Sequence, residues 1–321
     1  MTNMTSIASL YPPHRIALRE VGLRDGLQLT RVYPSIAGKK RWITAEFDAG
    51  VRYFDAGSFL PAAHHPQFAD VREIVAFLAG LPGAVASALT LNKRGAIDAL
   101  DSGVPQLDCV VSATESHSQR NVRRSREEAL GVVDEICQLR DQSDNKPVIA
   151  VGLSNALGCS IEGAVAPDEV YRLVDRCLET GADFISIADT VGYAGPTQVA
   201  AMIRAVVRRS GDSPVGVHLH DTRGLGLANA SAAMDEGARV IDASLGGLGG
   251  CPAAPRATGN IVFEDLAFLC QTKGLDTGID LERLIALRAI QAEEMPGETF
   301  YGALEKAGLP VGHSSAGAAG S

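Results

Sequence analysis

The chain has 321 residues, 46% hydrophobic and 21% charged, with a formal net charge of −9. Those proportions belong to a globular protein with enough apolar side chains for a large core. The acidic balance argues against general nucleic-acid binding, and no apolar run approaches the ~18 residues of a membrane span. The six cysteines include no C-x-x-C pair, which removes the usual zinc and thioredoxin-type signatures. Cys109 and Cys177 lie in apolar or amphipathic runs and read as buried thiols. Residues 1–13 carry no charged side chain, so they lack the basic start of a signal peptide and the arginines of a mitochondrial leader; the chain reads as cytoplasmic.

After an N-terminal segment, residues 1–15, short β-branched runs alternate with longer segments of helical spacing. Ile16–Gly22 reads as a strand and Ser35–Ala49 as a helix. Then come Val51–Ser58 and Gln67–Leu78, Ala84–Leu91 and Arg94–Leu100, Leu107–Ala113 and Arg124–Asp141. The second half continues with Pro147–Leu153 and Asp168–Thr180, Asp183–Asp189 and Thr197–Arg209, Val215–His220 and Leu225–Asp235, Val240–Leu245 and Ile261–Thr272. The strands are bounded by Gly, Pro, Asp or Asn. Helix starts are marked by Pro167-Asp168 and Pro196-Thr197, and a glycine closes several helices, as at Gly50 and Gly181. Eight strand–helix units predict an α/β fold, a (β/α)8 TIM barrel over residues 16–275. An open doubly wound sheet is the alternative, weakened because no G-x-G-x-x-G follows the first strand. One more helix, Leu281–Glu293, lies in a short C-terminal helical extension, residues 276–311. Residues 312–321, small and polar, read as a disordered tail.

A barrel enzyme carries its site at the C-terminal ends of its strands. Polar residues gather there: Arg24 and Asp25 after strand one, Asp55 and Ser58 on strand two, Asp189 on strand six, His218 and His220 on strand seven, and Cys251 and Asn260 after strand eight. Residues i and i+2 of a strand share a face, so His218 and His220 can meet one metal ion. Asp25 and Asn260 would add oxygen donors, a set suited to Mg²⁺, Mn²⁺ or Zn²⁺; the competing reading is a hydrogen-bonded core pair. Arg24, flanked by Gly22 and Gly26, reads either as an enolate-binding guanidinium or as half of a loop salt bridge. Cys251 follows a glycine-rich run and reads as a proton donor or as a passive thiol. Asp189 reads equally as a carboxylate supporting the site or as a helix N-cap. Arg120, Arg123, Arg124 and Arg126 crowd one segment, which either attracts an anionic tail or starts a solvated helix.

Five segments carry a family resemblance. Glu20–Gln28 (EVGLRDGLQ), Ser154–Cys159 (SNALGC), Ala188–Gly192 (ADTVG), His218–Gly224 (HLHDTRG) and Gly246–Pro252 (GGLGGCP) resemble, in order and spacing, the motifs of 3-hydroxy-3-methylglutaryl-CoA lyases. The resemblance spans about residues 16–275. It implies a TIM-barrel carbon–carbon lyase, a divalent metal (Mg²⁺ or Mn²⁺), an acyl-CoA substrate and a homodimer. It also implies roles: Asp25, His218, His220 and Asn260 as metal ligands, Arg24 as the enolate stabiliser, Cys251 as a proton-transfer residue, Asp189 within the site, and Gln28 beside the cleft.

The chain departs from the family pattern at two places. Asp55 stands where the family has glutamate, which withdraws the carboxylate by one methylene. Arg256 follows Cys251-Pro252-Ala253-Ala254-Pro255 and adds a cation suited to a substrate carboxylate. These changes keep citramalyl-CoA, or another tertiary 3-hydroxyacyl-CoA, beside 3-hydroxy-3-methylglutaryl-CoA as a candidate substrate. A Claisen-type synthase would typically carry a long regulatory extension, and a carboxyltransferase would need a biotin carrier. A silent barrel that only binds acyl-CoA is the reading of another class, and the intact polar set argues against it.

Overall fold

A computed structural model describes residues 6–249 and 259–311. Eight parallel strands close into a barrel in sequence order. They are β1 (Ala17–Glu20), β2 (Tyr53–Ser58), β3 (Val85–Leu89), β4 (Gln106–Ser112), β5 (Val148–Ser154), β6 (Phe184–Asp189), β7 (Val215–Leu219) and β8 (Val240–Ala243). Each falls within or overlaps an expected strand, so the closed (β/α)8 barrel is confirmed over the open sheet. β1 pairs with both β2 and β8, which brings the first strand beside the last.

Helices between strands bury one apolar stripe against the barrel. In the helix Pro167–Glu179, Val170, Leu173, Val174 and Cys177 are buried at i, i+3, i+4 and i+7. Pro167 and Pro196 are the first helical residues rather than the residues before the start, a position that needs no backbone donor. The glycines expected to close helices take the left-handed conformation, as at Gly50 (φ 101°) and Gly181 (φ 93°). Cys109 and Cys177 are buried as expected, and burial pushes the Cys177 thiol up to about 12.

At three places the structure departs from or adds to the expected elements. The helix expected over Arg124–Asp141 is preceded by a separate helix, Glu115–Val122. Arg123 breaks the two with φ 56°, and Ser125 restarts the chain in a capping box with Glu128. The helix expected over Leu281–Glu293 is two short ones, Leu281–Ala286 and Arg288–Glu294. The N-terminal segment also carries structure: a helix, Ile7–Leu10, leads Tyr11 into the bottom of the barrel. There Tyr11 packs on Tyr53 and Phe184, with ring centroids 5.2 and 5.5 Å away, and its hydroxyl donates to Gln106 Oε1 at 2.7 Å. The opposite end of the barrel, at the strand C-termini, is left open for a site. Among the described residues, no helix is long and apolar enough to cross a membrane.

Candidate active site and metal centre

β1 ends at Glu20, and the chain turns at once to Arg24 and Asp25. β7 delivers His218 on the strand and His220 just beyond it. A backbone bridge between His220 and Asn260 brings in the segment after β8. Closure of the barrel therefore assembles residues 235 positions apart: Asn260 Nδ2 donates to Asp25 Oδ2 at 2.9 Å.

The two imidazoles meet Nε2 to Nε2 at 3.1 Å, and Asp25 Oδ2 lies 3.8 Å from His218 Nε2 and 3.6 Å from His220 Nε2. Ligand-type atoms of Asp25, His218 and His220 all lie within 4.8 Å of one another. Asn260 uses its amide nitrogen on Asp25 and on the Leu248 carbonyl (3.0 Å), and its buried Oδ1 has no hydrogen-bond partner among the described residues. A buried orphan oxygen is costly unless something satisfies it. Two imidazole nitrogens and a carboxylate within 4.8 Å of one another fit a divalent cation, and the Asn260 side chain lies beside them through its bond to Asp25.

The ligand geometry is held from behind. His218 Nδ1 lies 3.0 Å from Asp242 Oδ2; with the proton on Nδ1, Nε2 is left as a free electron-pair donor. Asp242 is bound in turn by Arg19 through Nε and Nη2, both at 2.8 Å. Arg19 also bonds Asp108 (2.8 Å) and Ser87 (3.3 Å). Burial would raise Asp242, but Arg19 and the His218 hydrogen bond overcome it and hold the carboxyl well below the usual range. Asp25 follows the same logic: burial opposes ionisation, yet Arg24 and the two histidines keep it ionised. Sequence reading missed Arg19, Asp108 and Asp242. The available signal was a charged residue inside an apolar strand, as in Ala17-Leu18-Arg19 and Val240-Ile241-Asp242. Register makes Asp242 the neighbour of both Arg19 and His218.

Arg24 is fixed by two carboxylates, donating from Nε to Asp55 Oδ2 at 2.6 Å and from Nη1 to Asp25 Oδ1 at 2.8 Å. Asp55 is fully buried, and its Oδ1 has no hydrogen-bond partner among the described residues. Burial raises its carboxyl to about 6 against the pull of Arg24, with Asp108 adding to the rise. The pairing register of β2 with β3 shifts between Asp55 and Ser58, where Gly57 has φ 141°. That irregularity follows directly after Asp55.

These groups open on a cavity of about 310 Å³ lined by Arg24, Asp25, His218 and His220. Gln28, exposed, lines it, and Arg120 lines it from the helix Glu115–Val122. Arg124 and Arg126 are turned to backbone carbonyls instead, those of Leu91 and Ala113. His117 also lines the cavity, with Nδ1 2.8 Å from Ser112 Oγ; sequence reading did not single it out. Asp189 meets the site through its backbone, its carbonyl accepting from the His220 N–H at 3.3 Å, while its side chain is engaged elsewhere. Its two oxygens accept from the backbone of Tyr193 (2.9 Å) and Ala194 (3.0 Å), so it shapes the loop after β6. Cys251 and Arg256 lie outside the described residues.

Comparison with known proteins places this geometry in a family. The HMGL-like family model matches residues 15–290. A curated (R)-citramalyl-CoA lyase of Chloroflexus aurantiacus is 37% identical over 281 residues, 84% of this chain and 88% of its own. The hydroxymethylglutaryl-CoA lyase YngG of Bacillus subtilis is 32% identical over 283 residues, 88% of this chain and 94% of its own. A solved HMG-CoA lyase from Acinetobacter baumannii, in complex with coenzyme A and 3-methylmalate, superposes with a TM-score of 0.85 at 33% identity, covering 94% of this chain and 97% of that one. The chain thus belongs to the HMGL-like family, within the hydroxymethylglutaryl-CoA lyase group of carbon–carbon lyases.

Proposed function

We propose that this protein cleaves 3-hydroxy-3-methylglutaryl-CoA to acetyl-CoA and acetoacetate, using a divalent metal, Mg²⁺ or Mn²⁺. The observation that carries the reading is the convergence of Asp25, His218 and His220, with Asn260 bonded to Asp25, beside a fixed guanidinium that lines the same cavity. A metal held by these four residues would act as a Lewis acid that lowers the pKa of the substrate's 3-hydroxyl.

The chain's own residues account for the rest. Asp55 offers a buried carboxylate, with one oxygen unpartnered among the described residues, as acceptor for the hydroxyl proton. As that proton leaves, the C2–C3 bond breaks; C3 becomes the ketone, and the electron pair passes to the thioester as an enolate. Arg24, already oriented by Asp55 and Asp25, stabilises the enolate oxygen at little reorganisation cost. Cys251 is the proposed proton donor to C2, which completes acetyl-CoA. Gln28 in the cavity lining and Arg256 are proposed substrate contacts.

A second reading, cleavage of citramalyl-CoA to acetyl-CoA and pyruvate, uses the same steps. It is favoured by the 37% identity to a citramalyl-CoA lyase and by the shorter Asp55 side chain. Thioester products should be followed from both substrates with Mn²⁺ present, with a chelator control. Chelator-sensitive acetyl-CoA and acetoacetate from the first substrate supports the primary reading. Cleavage of citramalyl-CoA alone moves the substrate, and no cleavage of either contradicts both.

A further inference from the structure

The turn after β8, Leu245–Leu248, is held by the end of β1 and by residues beyond the barrel wall. All four backbone polar groups of Leu245 and Gly246 have partners from elsewhere in the chain. Leu245 N–H donates to Glu20 Oε2 at 2.9 Å, and Leu245 C=O accepts from Gln291 Nε2 at 2.9 Å. Gly246 N–H donates to Glu264 Oε2 at 3.1 Å, and Gly246 C=O accepts from Tyr301 N–H at 2.7 Å. Arg288 ties these partners together, pairing with Glu264 and donating to the Tyr301 carbonyl at 2.8 Å. Glu20, Glu264 and Gln291 are completely buried.

The turn itself needs such support. Gly246 and Gly247 sit in the left-handed region, at φ 66° and 63°. A Cβ on Gly246 would meet the Arg288 guanidinium carbon at 2.9 Å, so Arg288 lies directly on the turn. The turn then sets Leu248, whose carbonyl accepts from Asn260 Nδ2. That bond and the one to Asp25 orient the Asn260 amide and leave its Oδ1 unpartnered among the described residues. The other end of the clamp reaches the same place: Glu20 Oε1 accepts from Gly22 N–H at 2.6 Å, at the root of the loop bearing Arg24 and Asp25.

We infer that the segment beyond the barrel is a positioning element for the metal centre, in which Arg288, Gln291 and Tyr301 hold the Leu245–Leu248 turn and thereby aim Asn260. Gln291 and Arg288 do not touch the ligands; they act through the turn. The inference deepens the functional reading and rests on Asn260 being a ligand, so its test separates the two.

Hydrogen exchange of the metal-free wild-type protein reads the clamp alone. The amides of Leu245 and Gly246 should exchange as slowly as those of β4 and β5; exchange at the rate of exposed loops would overturn the inference. Mn²⁺ titration followed by electron paramagnetic resonance reads the consequence. In Gln291→Leu and Arg288→Met the Mn²⁺ dissociation constant should rise about ten-fold, the lower end for partners that orient metal ligands. Arg288→Lys, which keeps a donor for Glu264, should restore it. Unchanged affinity in folded Gln291→Leu and Arg288→Met would overturn the inference. Wild-type protein that binds no Mn²⁺ while Leu245 and Gly246 stay protected would overturn the ligand reading but keep the clamp.

Discussion

Asp55 shows how one residue is read from its surroundings. It is buried, it anchors Arg24, and burial raises its carboxyl to about 6. As the proton acceptor it works ionised, so kcat/KM should rise as pH climbs through about 6. Asp55→Asn should lose that limb and about 10²–10⁴ in kcat, the range for a general base. A flat pH profile from 5 to 8 in the wild type would contradict the role. The same shift has a stability consequence of opposite sign. Between the ordinary value of 3.8 and about 6, the folded state keeps a proton that the unfolded state has lost, so this group's contribution falls as pH rises through that window. Asp242 is the other informative residue. Asp242→Asn should weaken Mn²⁺ binding about 10–100-fold by releasing His218, with Mn²⁺ titration as the check. These two residues also mark the limits of sequence reading. Asp55 was visible because it is a carboxylate within a strand, at a place where the resembled family carries glutamate. Asp242 was not, because its meaning comes from ladder register with Arg19 and His218, which strand periodicity does not reveal.

At the scale of elements, the strands were legible because turn residues bound short β-branched runs. Helix boundaries were harder where the chain breaks without glycine or proline. Arg123 takes a left-handed conformation that no residue type announced, although Ser125 and Glu128 form a readable start signal. Ser125→Ala should cost about 1 kcal/mol in urea unfolding, the usual worth of an N-cap; no change would mean the helix is fixed by packing alone. The N-terminal helix was not legible because its role depends on the barrel it closes. Tyr11 fills the barrel bottom between Tyr53 and Phe184. Tyr11→Ala should therefore destabilise the protein by about 3–5 kcal/mol, as large aromatic truncations in cores do, readable by thermal or urea unfolding.

For the whole molecule, closure of the sheet is what makes a site out of dispersed residues. Asp25, His218 and Asn260 are far apart in sequence, and only the β8–β1 pairing makes them neighbours. The alternation of strands and helices was enough to anticipate that closure, and the common rim then gathered most of the candidates. The buried Arg19–Asp108–Asp242 network beneath the rim, and the turn held by the C-terminal helices, depend on packing between segments remote in sequence. Asp25, His218, His220 and Asn260 are proposed to hold one divalent cation. The most direct test of this proposal is the Mn²⁺ stoichiometry of the purified protein, measured beside His220→Ala. One Mn²⁺ per chain in the wild type, lost in folded His220→Ala, is the predicted result; no bound Mn²⁺ in the wild type, or undiminished binding in the variant, would contradict it.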